Sequence, residues 1–470
     1  MKRRALTIAT NLPLIIGVSF AIRVAFAISQ VRHMPANLVG LVPFLNEAGN
    51  IAFSLAKGHG FSSPWWQETG PTAWLTPVYP WIVSVIYRIF GIHTPHALYA
   101  AVLLNIIFSC ATCVPIYFMG KKLAGSGVAS GAAGLWAIFP NAIILPYEWI
   151  WDTSLSALLM AIILWATLEL AESARWRDWA GYGVLWGFAL MTNPSLGSML
   201  PFLLGWAAYR GLRHHSVELS RPALAVGIAI LCCVPWTIRN YVTFHKLIPL
   251  RSNFGLELWV GNNNSYDETL QIVPAPDPAR AELREYVRVG ETAFMAEKLS
   301  AATLFIRTHP RLEIVLWWRR FLATWTGSET PLKSFAEAET LLVRVVLVTN
   351  LLAAIGTVLG IFVLIARRSI YAFPLAALPL IYPVLYYATH PSLRYRHPID
   401  PAIVILVAVG FTSILNRRNP PSAEENTGRL GVAPERCSAG CGRKFALTTP
   451  EIWRLITTDE PATSSSSAWI

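Results

Sequence analysis

Long apolar runs separated by short polar stretches recur along almost the whole chain. Ten of them lie at 5–28, 96–119, 124–144, 153–171, 178–192, 195–210, 222–238, 340–366, 370–388 and 400–416, and most approach or exceed the ~20 residues an α-helix needs to cross a hydrocarbon core of ~30 Å. Lipid offers the backbone no hydrogen-bonding partner, so such runs must be helical. The pattern predicts an all-α, polytopic transmembrane helical bundle of about ten spans within residues 1–416. The segment 312–326 would make an eleventh span. It is short and holds the adjacent pair Arg319 and Arg320, which favours an interfacial helix instead. Two longer polar segments, 29–95 and 239–339, break the rhythm. The tail 417–470 is polar, holds a run of four serines, and reads as disordered.

Composition narrows the class further. Charged residues make up 14% of the 470 and mean hydropathy is +0.46, which excludes an ordinary soluble domain of this size. The net charge of +11 then reads as topology and attraction to anionic lipid, not nucleic-acid binding. Lys2-Arg3-Arg4, Lys121-Lys122, Arg175 with Arg177, Arg210 with Arg213, Arg367-Arg368 and Arg417-Arg418 all fall on one side when ten spans are counted. That places both termini in the cytoplasm. The first run resembles a signal peptide, with Ala25-Phe26-Ala27 as a cleavage-like motif, but its length and Arg23 favour a retained anchor. Cys437 and Cys441 lack the second pair a zinc site requires. No repeat, P-loop or GxGxxG is present.

The two polar segments and three short turns lie on the opposite, extracytoplasmic side. In 29–95, Phe44, Ala48, Ile51, Ala52 and Leu55 follow a helical period, with Glu47 at the border of that stripe. Lys57-Gly58-His59-Gly60 ends the helix. After Pro77, Val78, Ile82, Val85 and Ile89 share one face, and Ser84, Tyr87 and Arg88 another. This helix spans only about 21 Å, so it should lie in the membrane interface. The turns hold Glu148 and Asp152 on either side of Trp149 and Trp151, Asn193 before Pro194, and Arg394-Tyr395-Arg396-His397 before Pro398, while Arg239-Asn240 opens the second segment. The stretch 279–308 is charged and amphipathic, and should pack on the outer rim.

Acids and arginines gathered at one membrane face suit group transfer from a phosphate. A carboxylate held near the surface can act as general base, which nominates Glu47 and Asp152. Guanidinium groups bind phosphate oxygens through two parallel donors, which nominates Arg239, Arg394 and Arg396. Two carboxylates beside a phosphate would equally hold a divalent cation. Spacing does not separate these options, so the metal is left unassigned. Each residue also has a plainer reading. Glu47 is a solvated acid on an interfacial helix, Asp152 a helix cap, and Glu148 a surface acid. The arginines then snorkel to headgroups, while His59 and His397 are lone histidines that seldom act as ligands. Asn193 would only shape a helix break.

The order of these motifs resembles the C-type membrane glycosyltransferase superfamily, especially its protein O-mannosyltransferase-like and aminoarabinose-transferase-like members. The likeness rests on Asn46-Glu47-Ala48-Gly49-Asn50 after the first span and on Leu55-Ala56-Lys57-Gly58-His59-Gly60-Phe61. It continues through Pro77-Val78-Tyr79-Pro80, Trp151-Asp152-Thr153 and Arg394-Tyr395-Arg396-His397-Pro398. It covers residues 1–416 in layout. It implies a polyprenyl-phosphate-linked sugar donor, transfer on the extracytoplasmic face, and Glu47 as catalytic base. It also implies Asp152 as a second catalytic acid, and donor or acceptor contacts from Tyr79, Tyr395 and the arginines. The acceptor would be a lipid, a glycan or a protein. Glu47 stands where Asp is more usual, and no large soluble domain is expected after the last apolar run.

Two rival readings remain. A transporter or flippase of lipid-linked glycans calls for ionisable residues at mid-span and paired broken helices. A non-catalytic envelope-assembly protein would not need acids and arginines at one boundary.

Overall fold

The computed structural model describes residues 12–33, 42–148, 150–213, 218–263 and 276–418. The tail from 419, with Cys437 and Cys441, lies outside them. Among the described residues the structure is helical throughout, apart from one isolated bridge between Ser62 and Pro71. Six helices among the described residues are long and apolar enough to cross a membrane: Leu12–His33, Pro95–Ala124, Thr153–Leu170, Ser220–Phe244, Leu341–Ala366 and Leu393–Leu415. The pair Ser126–Ile138 and Pro140–Glu148, bent by 42°, makes a seventh if it crosses as one unit. The chain is an integral membrane protein. The remaining expected runs are also helical, as Trp176–Thr192, Leu200–Arg213 and Ala372–Ile381 followed by Val384–Ala388, but each is 17 residues or fewer.

The bend between Ser126–Ile138 and Pro140–Glu148 has a local cause. Phe139 is extended, the conformation the residue before a proline prefers, and the last carbonyls of the first helix lose their partners. Arg23 supplies them. Its Nη1 and Nη2 donate to the Ala137 and Trp136 carbonyls at 3.0 and 3.1 Å, and its Nε to Ser109 Oγ at 2.9 Å. This arginine is 1% exposed, and the negative end of a broken helix surrounds it. Elsewhere the spans pack closely. A Cβ on Gly360 would sit 2.2 Å from the Leu406 carbonyl oxygen, the kind of contact small residues permit between membrane helices.

In the first polar segment the helix begins at Glu47, three residues after Phe44. Asn46 caps it by accepting from the Gly49 N–H at 2.9 Å, and Gly58, at φ 86°, ends it. Phe44, Ala48, Ile51 and Ala52 are buried at 1% or less, as their period predicted. The next helix, Val78–Phe90, is amphipathic in the inverted sense. Ser84 and Tyr87 are buried in protein, whereas Val85 and Ile89 are 45% and 68% exposed. An apolar face turned outward suits lipid, not water.

The second polar segment is not a separate domain. It folds into Phe254–Gly261, Pro276–Val289, Glu291–Thr308, Pro310–Thr326 and Pro331–Glu337 and is tied down by buried charges. Glu291 accepts from the Ala73 N–H, Ser252 Oγ and Tyr286 OH, each at 2.7 Å, and from Thr72 Oγ1. Arg320, fully buried, donates to the carbonyls of Gly261, Tyr387 and Ala388 and to Glu313. The arginine that made 312–326 unsuitable as a span is therefore paired inside the protein.

Candidate active site

Arg394 is the second residue of the short helix Leu393–Arg396 that leads into the last span. Its guanidinium packs 5.0 Å from the Trp151 ring and 4.8 Å from the Tyr395 ring, and its Nη2 donates to the Tyr395 phenol at 2.8 Å. Glu47, Glu148 and Asp152 all lie within its electrostatic reach. Three acids from different elements thus lie in the field of one cation.

Glu47 occupies the first turn of its helix, where the positive end of the backbone dipole favours a carboxylate. Burial nevertheless raises its pKa above the ordinary value, against the pull of Arg394 and Arg251. Asp152 stands at the cap position of Thr153–Leu170, yet its side chain makes no capping bond. Its Oδ2 instead accepts from Ser156 Oγ at 2.7 Å, and it is 6% exposed. Burial raises its pKa too, opposed by Ser156, Arg251, Asn193 and Arg394. Asn193 is held by Ser195, whose Oγ donates to Asn193 Oδ1 at 2.6 Å and in turn accepts from Tyr386 at 2.9 Å. A cap role alone does not account for Asp152.

Other nominated residues are placed elsewhere. Arg239 donates to the Thr72 and Phe61 carbonyls at 2.6 and 2.8 Å and stacks on Trp236; it straps the 61–72 loop to its helix. Arg396, two residues past Arg394, points the other way. It is 1% exposed and donates to Asp400, Asn350 and the Thr324 carbonyl. His397 stacks on Trp136 and pairs with Asp400 at 2.9 Å. Tyr79 is the exception: it donates to Asn105 at 3.1 Å inside the protein, within the electrostatic reach of Asp152. His59 pairs with Glu68 at 3.5 Å, and both are largely exposed.

Three residues join the cluster that sequence reasoning passed over: Arg251, Glu257 and His390. Asn253 Nδ2 donates to Glu257 Oε1 at 2.6 Å, Arg251 pairs with the same carboxylate at 3.5 Å, and His390 Nε2 lies 3.5 Å from Oε2. Glu257 and Arg251 both act on Glu47. No local spacing announces this group, because Glu257 and His390 are 133 positions apart. Among the described residues, no three His, Cys, Asp or Glu side chains form a group suited to a metal ion.

Residues 73–238 match the dolichyl-phosphate-mannose-protein mannosyltransferase family, a segment that holds Tyr79, Glu148, Asp152 and Asn193. No curated protein matches the chain. Among solved structures, the archaeal oligosaccharyltransferase AglB from Archaeoglobus fulgidus, in complex with an inhibitory peptide and a dolichol-phosphate, is 12% identical. The match covers 91% of this chain and 52% of that one, at a TM-score of 0.51. The Archaeoglobus fulgidus oligosaccharyltransferase complex with Zn and sulfate is 12% identical over 86% and 49% of the two chains, at 0.48. ArnT from Cupriavidus metallidurans bound to undecaprenyl phosphate is 16% identical over 85% and 78%, at 0.39. The chain spans about half the length of the oligosaccharyltransferases it matches. Residues 73–238 are thus similar to a mannosyltransferase family, and the fold as a whole is similar to that of the archaeal oligosaccharyltransferase.

Proposed function

We propose that this protein transfers a sugar from a polyprenyl-phosphate-linked donor to a lipid, glycan or protein acceptor at the extracytoplasmic face of the cell membrane. Ten spans and cytoplasmic termini belong to the same reading. The observation that supports it is that Arg394 and Arg251 both act electrostatically on Glu47 and on Asp152. Glu47 takes the proton of the acceptor hydroxyl, and the acceptor oxygen bonds to the sugar's anomeric carbon. The bond from that carbon to the phosphate oxygen breaks, its electrons remain with the lipid phosphate, and Arg394 and Arg251 offset the charge. Asp152, held by Ser156 and Asn193, orients the reacting sugar or acceptor. The polyprenyl phosphates in the solved complexes belong to those proteins; here the donor class is supported by the arginines, which suit a phosphate.

The test is an assay with the purified chain in lipid vesicles and a radiolabelled polyprenyl-phosphate sugar. Label passing to an acceptor supports the reading. Label that only crosses the bilayer favours the flippase, and neither result favours an assembly scaffold.

A further inference from the structure

Arg394 donates to the Tyr395 oxygen, and an arginine has no acceptor atom to offer in return. The phenolic proton of Tyr395 must therefore go elsewhere. The acceptor facing it is His390 Nε2, at 3.0 Å. This assigns the tautomer: Nε2 is bare, and Nδ1 carries the hydrogen and turns it to the Glu257 carbonyl at 3.4 Å. His390 is 2% exposed. The Tyr395 ring is fixed independently by stacking on Tyr386 at 4.9 Å and 5°. A part-buried hydrogen-bonded chain thus runs from Glu257 through His390 and Tyr395 to Arg394.

We infer that His390 is a positioning residue: its neutral form holds Tyr395 so that Arg394 is aimed at the phosphate of the lipid-linked donor, and its protonation releases that hold. The inference rests on the proposed donor class. Protonated, Nε2 becomes a donor and needs the Tyr395 oxygen or Glu257 Oε2, 3.5 Å away. The Tyr395 oxygen then faces two donors, and its own proton loses its acceptor. The charged groups facing His390 pull in both directions. Glu257, from Phe254–Gly261, favours the cation. Arg394, from Leu393–Arg396, and Arg320, from Pro310–Thr326, oppose it. Burial, the largest influence, lowers the imidazole pKa, in keeping with a neutral ring at physiological pH. Tyr395 completes the set as the neutral partner.

The experiment measures binding of a polyprenyl monophosphate to the purified full chain in detergent, from about pH 5 to about pH 8, the window in which histidine titrates. Wild type and His390→Gln are compared directly, so the lipid's own phosphate titration is common to both and cancels. The glutamine amide oxygen accepts from Tyr395 but takes up no proton. It is expected to bind within about threefold of wild type at neutral pH and to lose the extra weakening that wild type shows in acid. His390→Leu and Tyr395→Phe are expected to bind about tenfold more weakly across the range, the effect of one hydrogen bond to a charged group. A glutamine variant that keeps the full wild-type pH dependence overturns the inference, as does a leucine variant that binds like wild type. Folding of each variant is checked by thermal melting. Failure of folded wild type to bind the lipid at any pH overturns the donor reading itself, and is seen before any substitution is made.

Discussion

Arg396 donates from Nε to Asp400 Oδ1 at 2.9 Å, with both side chains fully buried. The remaining guanidinium nitrogens reach Asn350 and the Thr324 and Trp325 carbonyls. Removing one partner of such a pair strands the other charge, typically at about 3–5 kcal/mol. Arg396→Ala should therefore lower the melting temperature sharply or abolish expression. Arg396→Lys should not rescue it, because an ammonium lacks the planar fork. Arg394→Ala should melt close to wild type while weakening binding of the lipid phosphate about tenfold or more. Equal thermal losses in both variants would remove the distinction between them.

Glu47→Gln and Asp152→Asn should each reduce transfer by about 10²–10⁴-fold, the usual contribution of a positioned acid or base, with the fold intact. Burial raises both carboxyl pKa values, so the folded state prefers the protonated form. Stability from these groups is full below their unfolded values and declines as pH rises through the raised folded values. The amides do not ionise. Above about pH 5 their melting temperatures should equal or exceed that of wild type. A clear loss of thermal stability in both would assign these acids to structure.

Transfer by wild type should fall on the acid side with an apparent pKa above the ordinary carboxylate value, because Glu47 must be ionised to take a proton and burial resists that ionisation. The measurement is kcat against pH at saturating donor. A rate flat down to about pH 4 would mean that no raised carboxylate acts as base.

Arg239 holds two loop carbonyls, of Thr72 and Phe61. Arg239→Gln should lower stability by about 1.5–3 kcal/mol and leave the donor KM of the folded fraction unchanged. A raised KM with unaltered melting would instead make Arg239 a phosphate ligand.

A Cβ on Gly261 would lie 1.9 Å from the Thr389 carbonyl oxygen. Only glycine allows the helix bearing Glu257 to lie this close to the strand of chain bearing His390. Gly261→Ala should cost about 1–3 kcal/mol through overpacking and weaken lipid-phosphate binding by separating Glu257 from His390. Wild-type binding in this variant would show that the close approach is unimportant to the site.

Much of this molecule can be read along the chain because its physics is local. Apolar runs must form helices in lipid, and the stripe Phe44, Ala48, Ile51 and Ala52 states which side of its helix is covered. Gly58 marks where that helix stops, because it alone tolerates φ 86° there. The acids Glu47 and Asp152 stood out for the same reason, as charges at the edges of apolar elements. Arg394 and Arg396 did not separate, since two positions on a short helix face opposite ways and only the neighbouring helices decide which side is core. The group of Arg251, Glu257 and His390 was invisible in sequence because Glu257 and His390 are 133 positions apart, and no periodicity relates them. Element type and the presence of charge follow from nearest-neighbour chemistry; the direction in which each charge is spent follows from packing between segments more than a hundred residues apart.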